Sequence, residues 1–362
     1  MREKIKELIN KTAEKGDAFL IVSPVNRRYV TGFNTSDGFV IIKNGELTFI
    51  TDFRYFEMAE LAKKDGKIPS EIRLVLQQSA AMKQLADELC GCETVLFEDR
   101  FLSVEYLGRL RKFMPDKHFV SGSAIINSCR ESKDAYEIDC IKKSQGITDL
   151  AYRHILNVIS DNVGKPDFTE NDIALELEFF MRKNCSEGVD FDTISVSGHK
   201  SSLPHGVGDS TPVQKGFLTM DFGAKYNGYC SDMTRTICIG APNEKMKLVY
   251  NTVLQAQLAA LEQIRGNILG NVADAFARSV IDNAGFKGKF GHSLGHSLGL
   301  DIHESPNFSP NEKNTVPVNA VISVEPGIYL PGEFGVRIED IVRLTEDGCE
   351  NLTHSPKELT VI

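Results

Sequence analysis

Two stretches of this chain carry carboxylates inside apolar, strand-like sequence, and each stretch folds back on itself. In the first, Thr219-Met220-Asp221-Phe222-Gly223-Ala224 and Ser231-Asp232-Met233-Thr234-Arg235-Thr236 flank Tyr226-Asn227-Gly228-Tyr229. Asn-Gly between two such runs predicts a tight hairpin. That turn sets Asp232 opposite Gly223 and diagonal to Asp221. Positions 221 and 223 share a strand face, so both carboxylates point the same way. Two bare carboxylates held together repel, and one takes up a proton unless a cation lies between them. Two exposed turn aspartates are the plain alternative. In the second stretch, Ser323-Val324-Glu325-Pro326-Gly327 and Val336-Arg337-Ile338-Glu339-Asp340 flank Pro331-Gly332. Glu325 follows Val321-Ile322-Ser323-Val324, a run apolar enough to predict burial, and a buried unpaired glutamate is costly. A structural salt bridge, for example to Arg337, is the alternative for this pair.

The first third of the chain alternates strand-like and helix-like segments. Ala18 to Val22 reads as a buried strand, and Gly38 to Ile42 and Leu47 to Ile50 flank Asn44-Gly45, a second hairpin signal. Tyr55 to Ala62 and Ser103 to Phe113 read as helices, with Thr94 to Phe97 as a strand between them. This alternation predicts a small α/β domain over residues 1–126. The pattern weakens over Ser121 to Ser128, and a long helical stretch follows from Glu131 to about Ser160. Residues 127–362 then hold helices at Glu170 to Lys183, Glu244 to Ile264 and Val272 to Ala284, with strands toward the end. Such an order predicts an α+β domain around an antiparallel sheet.

The chain has 41 Lys+Arg against 50 Asp+Glu, a net charge of −9. Without a basic cluster it is unsuited to grip phosphate backbones, so no nucleic-acid partner is expected. No apolar run approaches the roughly 20 residues of a spanning helix, so no membrane role is expected. The opening MREKIKELINKTAEKG reads as an amphipathic helix without a secretory apolar region, which places the protein in the cytoplasm. Eight cysteines fit that compartment as reduced thiols. Cys90-Gly-Cys92 is a single close pair and makes no zinc site by itself.

Three of the eight histidines, His292, His296 and His303, fall within twelve residues of a glycine-rich segment, and His205 lies in Leu203-Pro204-His205-Gly206. Glycines beside them leave room for a ligand. Four carboxylates with imidazole form an oxygen-rich set without thiolate, which suits Mn2+, Co2+ or Fe2+, with Zn2+ as an alternative. Four negative charges balance two divalent cations. Two such metals, about 3.5–4 Å apart, activate a bridging water and polarise a carbonyl. Neighbouring histidines would then steady the carbonyl oxygen and the leaving nitrogen.

At these residues the chain resembles the pita-bread metallopeptidases: aminopeptidase P, prolidase and methionine aminopeptidase, with creatinase as a metal-free relative. The resemblance makes Asp221, Asp232, His296, Glu325 and Glu339 the ligands of two divalent metal ions, Mn2+ foremost, with Asp232 and Glu339 bridging. It assigns catalytic roles to His205, His292, His303 and Arg337, and counts Glu325 among them as well as among the ligands. It covers about Glu131 to Ile362 and implies a curved antiparallel sheet there. Tyr29-Val30-Thr31-Gly32-Phe33 and Thr51-Asp52-Phe53-Arg54-Tyr55 resemble the N-terminal domain of creatinase and the prolidases, which methionine aminopeptidases lack. Members without catalysis lose some of the five ligands, and all five are present here. The implied substrate is a proline-containing peptide, and the implied assembly a homodimer. Some prolidases carry an arginine shortly after the His-Glu pair, where it would grip a dipeptide's carboxylate. Here His303-Glu304-Ser305-Pro306-Asn307-Phe308 has no basic residue before Lys313. The sequence therefore predicts aminopeptidase P ahead of prolidase.

Overall fold

The computed structural model describes residues 2–189 and 191–362. The chain divides into two compact units, Met1–Arg130 and Glu131–Ile362. The first unit is built on a six-stranded sheet in the spatial order Arg73–Leu76, Glu46–Thr51, Phe39–Lys43, Ala18–Ile21, Thr94–Phe97, His118–Ser121. Ala18–Ile21 is buried along its whole length. It pairs antiparallel with Phe39–Lys43 and parallel with Thr94–Phe97. The Asn44-Gly45 turn joins Lys43 to Glu46 with φ of 51° and 80°, the left-handed pair that a two-residue hairpin loop requires. Ser23, Asp52 and Ser103 cap three of the surrounding helices by accepting a backbone N–H.

The stretch Ser121 to Ser128, where the sequence pattern weakens, is largely ordered as secondary structure. It holds a helix, Ser123–Glu131, whose Ile126 and Cys129 are buried. The long helix starts at Ala135 and not at Glu131, because Asp134 and Glu137 form a capping box that fixes its first turn. Serine-rich composition resembles a loop, but here Ser123 and Ser128 lie within the nine-residue helix that the buried apolar residues pin.

The second unit has two halves of similar construction. Helices Ala135–Asn162 and Glu170–Lys183 pack on the sheet of Ile194–Ser197, Gly216–Phe222 and Met233–Ile239, with Ile155, Leu177, Leu218 and Ile237 in the core between them. Helices Glu244–Gln263 and Gly270–Ile281 pack on a five-stranded antiparallel sheet through Val253, Ala277, Ile322 and Val342. Fully burying one such aliphatic side chain is worth about 1.5–3 kcal/mol.

Both predicted hairpins form, and each keeps one register from end to end. In the first, Cys230 pairs with Lys225 and Met233 with Phe222, which sets Asp232 opposite Gly223. In the second, Gly327 pairs with Arg337 and Val324 with Asp340, which sets Glu325 opposite Glu339. The second ladder is interrupted at those glutamates, whose backbone donors turn outward. Glu339 N–H donates to Thr234 O of the first hairpin at 3.1 Å, and Glu325 N–H to Leu294 O at 2.8 Å. The interruption thereby stitches three strands together. Two glycines permit the close approach: an added Cβ would stand 2.0 Å from Ser231 O at Gly223 and 1.8 Å from Ser323 O at Gly295. Gly295→Ala is expected to lower stability by about 1–3 kcal/mol through overpacking. A thermal melt of the variant checks this, and an unchanged midpoint would contradict it.

Candidate metal centre

Asp221, Asp232 and Thr234 share one face of the first hairpin, and Glu325 and Glu339 share one face of the second. The backbone bond from Glu339 to Thr234 brings those faces together, and the strand Gly295–Ser297 adds His296. Nε2 of His296 lies 3.5 Å from Asp232 Oδ2 and 3.5 Å from Glu325 Oε1. Ligand atoms of Asp232, His296 and Glu339 all lie within 4.8 Å of one another, a group able to hold a metal ion. His296 Nδ1 faces the carbonyl of Ser297 at 3.3 Å, which leaves Nε2 for the carboxylates. All five residues line one cavity of about 540 Å³, as do His205, His292, His303 and Arg337.

Burial is the first cause that pushes the carboxyls of Asp232 and Glu339 well above the usual range. Neighbouring carboxylates add to it: Glu339, Asp221 and Glu325 for Asp232, and Glu325 and Asp221 for Glu339. Burial raises Glu325 to about 7, although Arg337 pulls it down. The same burial lowers His296 and so favours the neutral ring, the form that ligates metal. Such a set holds protons or a cation. Asp221 Oδ1 and Glu339 Oε1 are fully buried and receive no hydrogen bond from any described residue. Orphaned carboxylate oxygens beside a neutral imidazole are a donor set that fits divalent cations.

The alternative of a salt bridge from Arg337 to Glu325 or Glu339 is not what forms. Arg337 Nη2 donates to Asp221 Oδ2 at 2.6 Å, Nε to Thr234 Oγ1 at 2.9 Å, and Nη1 to Pro204 O and Tyr329 Oη at 3.0 Å each. Asp232 is buried, so the exposed-turn reading fails too. His292 lies with Nε2 2.9 Å from Tyr329 Oη and Nδ1 3.9 Å from Glu325 Oε2. Burial, helped by Arg337, lowers its pKa to about 4. The His303 ring meets the His296 ring edge-on at 4.4 Å between centroids, and burial lowers it as well. All eight cysteines are free, and none is among the described residues lining the cavity.

Two contributors were not visible in the sequence. Thr234 Oγ1 donates to Glu339 Oε2 at 2.7 Å and so fixes that carboxylate. Tyr329 links His292 to Arg337. A lone tyrosine in the buried strand Gly327–Leu330 is the signal that could have found it, since a buried phenol needs a partner.

The model of metallopeptidase family M24 matches residues 139–346, and that of the creatinase/prolidase N-terminal domain matches residues 3–132. The chain belongs to metallopeptidase family M24. Its fold is the expected α+β pair, a creatinase-like N-terminal domain followed by a pita-bread metallopeptidase domain. Among solved structures this family member is similar to an Xaa-Pro dipeptidase from Bacillus anthracis, at 38% identity over 99% of each chain with a TM-score of 0.93. It is also similar to an X-Pro aminopeptidase from Thermotoga maritima, at 35% identity over 96% of this chain and 98% of that one with a TM-score of 0.88. The Xaa-Pro dipeptidase of Pyrococcus furiosus is 35% identical over 99% of this chain and 100% of the relative. The protein is thus a metallopeptidase of the Xaa-Pro dipeptidase and aminopeptidase type. No helix among the described residues is long and apolar enough to cross a membrane.

The carboxyl shifts have a measurable consequence. A carboxyl whose folded pKa is raised stabilises the metal-free fold fully below its ordinary value, and that contribution is lost as the pH rises through the folded value. For Glu325 the window runs from 4.5 to about 7. The gap in melting temperature between metal-loaded and metal-free protein should therefore widen as the pH rises through that window. Calorimetry at the two ends measures it, and equal gaps would contradict the assignment.

Proposed function

We propose that this chain is an Xaa-Pro aminopeptidase that works with two divalent cations, Mn2+ foremost and Co2+, Fe2+ or Zn2+ as alternatives. Asp221, Asp232, His296, Glu325 and Glu339 would hold them, with Asp232 and Glu339 shared between the two. When bound, such cations polarise the scissile carbonyl and lower the pKa of water. The chain's own residues supply the remainder. His303, favoured in the neutral form by burial, offers a ring N–H to the carbonyl oxygen or the leaving proline nitrogen, and His292, held by Ser293 O and Tyr329 Oη, exchanges one of those partners for the peptide to do the same. His205 lies on the same cavity and joins them there. Glu325 takes and returns a proton, and Arg337 holds Asp221 in place. The same reading makes the enzyme a cytoplasmic homodimer acting on proline-containing peptides.

Charge is the observation that favours peptides longer than two residues. Among the described residues lining the cavity, Arg337 is the only Lys or Arg, and its guanidinium is taken up by Asp221, Thr234, Tyr329 and Pro204. A dipeptide places its C-terminal carboxylate in such a cavity and gains from a free cation. Asn307 lines the wall where that cation could stand, paired across the ladder with His296. An Xaa-Pro dipeptidase is the second reading, and it draws support from the relatives in Bacillus anthracis and Pyrococcus furiosus that carry that name.

With Mn2+ supplied, an Xaa-Pro-Xaa tripeptide should turn over faster than the matching Xaa-Pro dipeptide, and Asn307→Arg should move the ratio toward the dipeptide. A parent enzyme that prefers the dipeptide would establish the second reading instead. The metal roles are checked on two variants by elemental analysis and tripeptide turnover. Asp232→Ala should lose bound metal and activity together. His303→Ala should keep the metal while kcat falls about 10²-fold or more. Metal retained in Asp232→Ala, or lost in His303→Ala, would reverse those assignments.

A further inference from the structure

Lys133, near the start of the second unit, is not among the described residues lining the cavity, and its side chain is only 1% exposed. Its Nζ donates to Glu304 Oε2 at 3.2 Å, and the Glu304 side chain is 7% exposed. Two charges taken this far out of water cost several kcal/mol of desolvation, which good geometry at both ends must offset. Both ends are held. Lys133 N–H donates to Asn319 O at 2.9 Å, and Ser132 Oγ to Val318 O at 2.9 Å, which fixes the lysine to the loop leading into the second hairpin. Glu304 Oε1 accepts Asp301 N–H at 3.2 Å. Gly299 packs on the same carboxylate so closely that a Cβ would stand 2.7 Å from Oε1 and 2.9 Å from Oε2. The Gly299 carbonyl accepts Cys230 N–H at 2.8 Å, two residues before Asp232. One carboxylate therefore closes the 298–304 loop, and the loop is tied to the first hairpin.

Glu304 directly follows His303, at the point where the bend over residues 301–303 passes into the strand Glu304–Phe308. Glu304 is turned toward Lys133, and the adjoining His303 lines the cavity, edge-on to His296. We propose that Lys133 is a positioning residue which, through Glu304, clamps the 298–304 loop and sets the orientation of His303 toward the bound peptide. This rests on the role given to His303 under the proposed function.

The test compares the parent with Lys133→Met, Lys133→Arg and Gly299→Ala by hydrogen exchange, metal analysis and tripeptide kinetics. In Lys133→Met the 298–304 amides should exchange about tenfold faster or more, while both hairpins keep their protection and the metal content is unchanged. The loss should fall on kcat, about 10–100-fold, the range typical for residues that orient a metal site from behind. Lys133→Arg should restore most of it. In a His303→Ala background Lys133→Met should cost no further kcat, because both act through one group. Unchanged loop exchange, or a full additional loss on top of His303→Ala, would overturn the proposal. Should the loss of the buried lysine prevent Lys133→Met from folding, two other variants carry the same comparison. Lys133→Met with Glu304→Gln removes both charges, and Gly299→Ala displaces the carboxylate while leaving both charges in place. A parent protein inactive on every Xaa-Pro peptide would overturn the proposed function, while the exchange measurement would still decide whether the clamp exists.

Discussion

Glu325 and Glu339 stand opposite each other across a buried hairpin, where like charges destabilise a sheet. Asp221 and Asp232 face them from the other hairpin, so four carboxylates share one cavity. The surrounding structure answers that repulsion. The ladder is interrupted at the two glutamates, and their backbone donors bind the neighbouring strands. Thr234 and Ser323 hydroxyls each satisfy one carboxylate oxygen. Arg337 brings one buried positive charge against Asp221. A single guanidinium does not balance four carboxylates, and the orphaned oxygens of Asp221 and Glu339 mark where further positive charge belongs.

The opposite side of the same strands is held by a second buried cation. Arg235 Nη2 donates to Asp340 Oδ1 at 2.7 Å and Ser355 O at 2.8 Å, Nε donates to Pro356 O at 2.9 Å, and Nη1 donates to the carbonyls of Thr234 and Glu339. Strand alternation explains the division of labour: Thr234 and Glu339 turn toward the cavity, and their neighbours Arg235 and Asp340 turn away from it. Burial pushes the Asp340 carboxyl up, but Arg235 and Lys357 outweigh it and hold the group below its ordinary value. This pair is compensated within the protein. The cavity carboxylates are not, and the contrast sets a structural ion pair apart from the proposed ligand set.

The histidines obey the same dielectric argument with the opposite sign. Burial disfavours a charged imidazole as it disfavours a charged carboxyl, so the site that raises Glu325 lowers His292, His296 and His303. Neutral rings can ligate or donate a hydrogen bond without adding charge. What distinguishes their roles is the partner on the other nitrogen or the other side of the loop. His296 leans on Ser297, His292 on Tyr329 and Ser293, and the His303 loop on Glu304 and Lys133.

Local chemistry determined much of this protein in advance. Asn-Gly and Pro-Gly turns set the registers of both hairpins, and register alone decides which carboxylates share a face. The grouping of the four carboxylates was legible for that reason, whereas His296 as a proposed ligand and the roles of the three other cavity histidines came from the resemblance to a known family. The junction was less legible: the pattern weakens over Ser121 to Ser128, where a helix forms, and the capping box of Asp134 and Glu137 decides where the next helix begins. Partners distant in the chain were decided only by tertiary structure. Arg337 meets Asp221 across 116 residues, and Lys133 meets Glu304 across 171. Nothing in a linear pattern records such a pairing, because the attraction that offsets the desolvation of both charges exists only once the strands between them have packed and brought the two groups together.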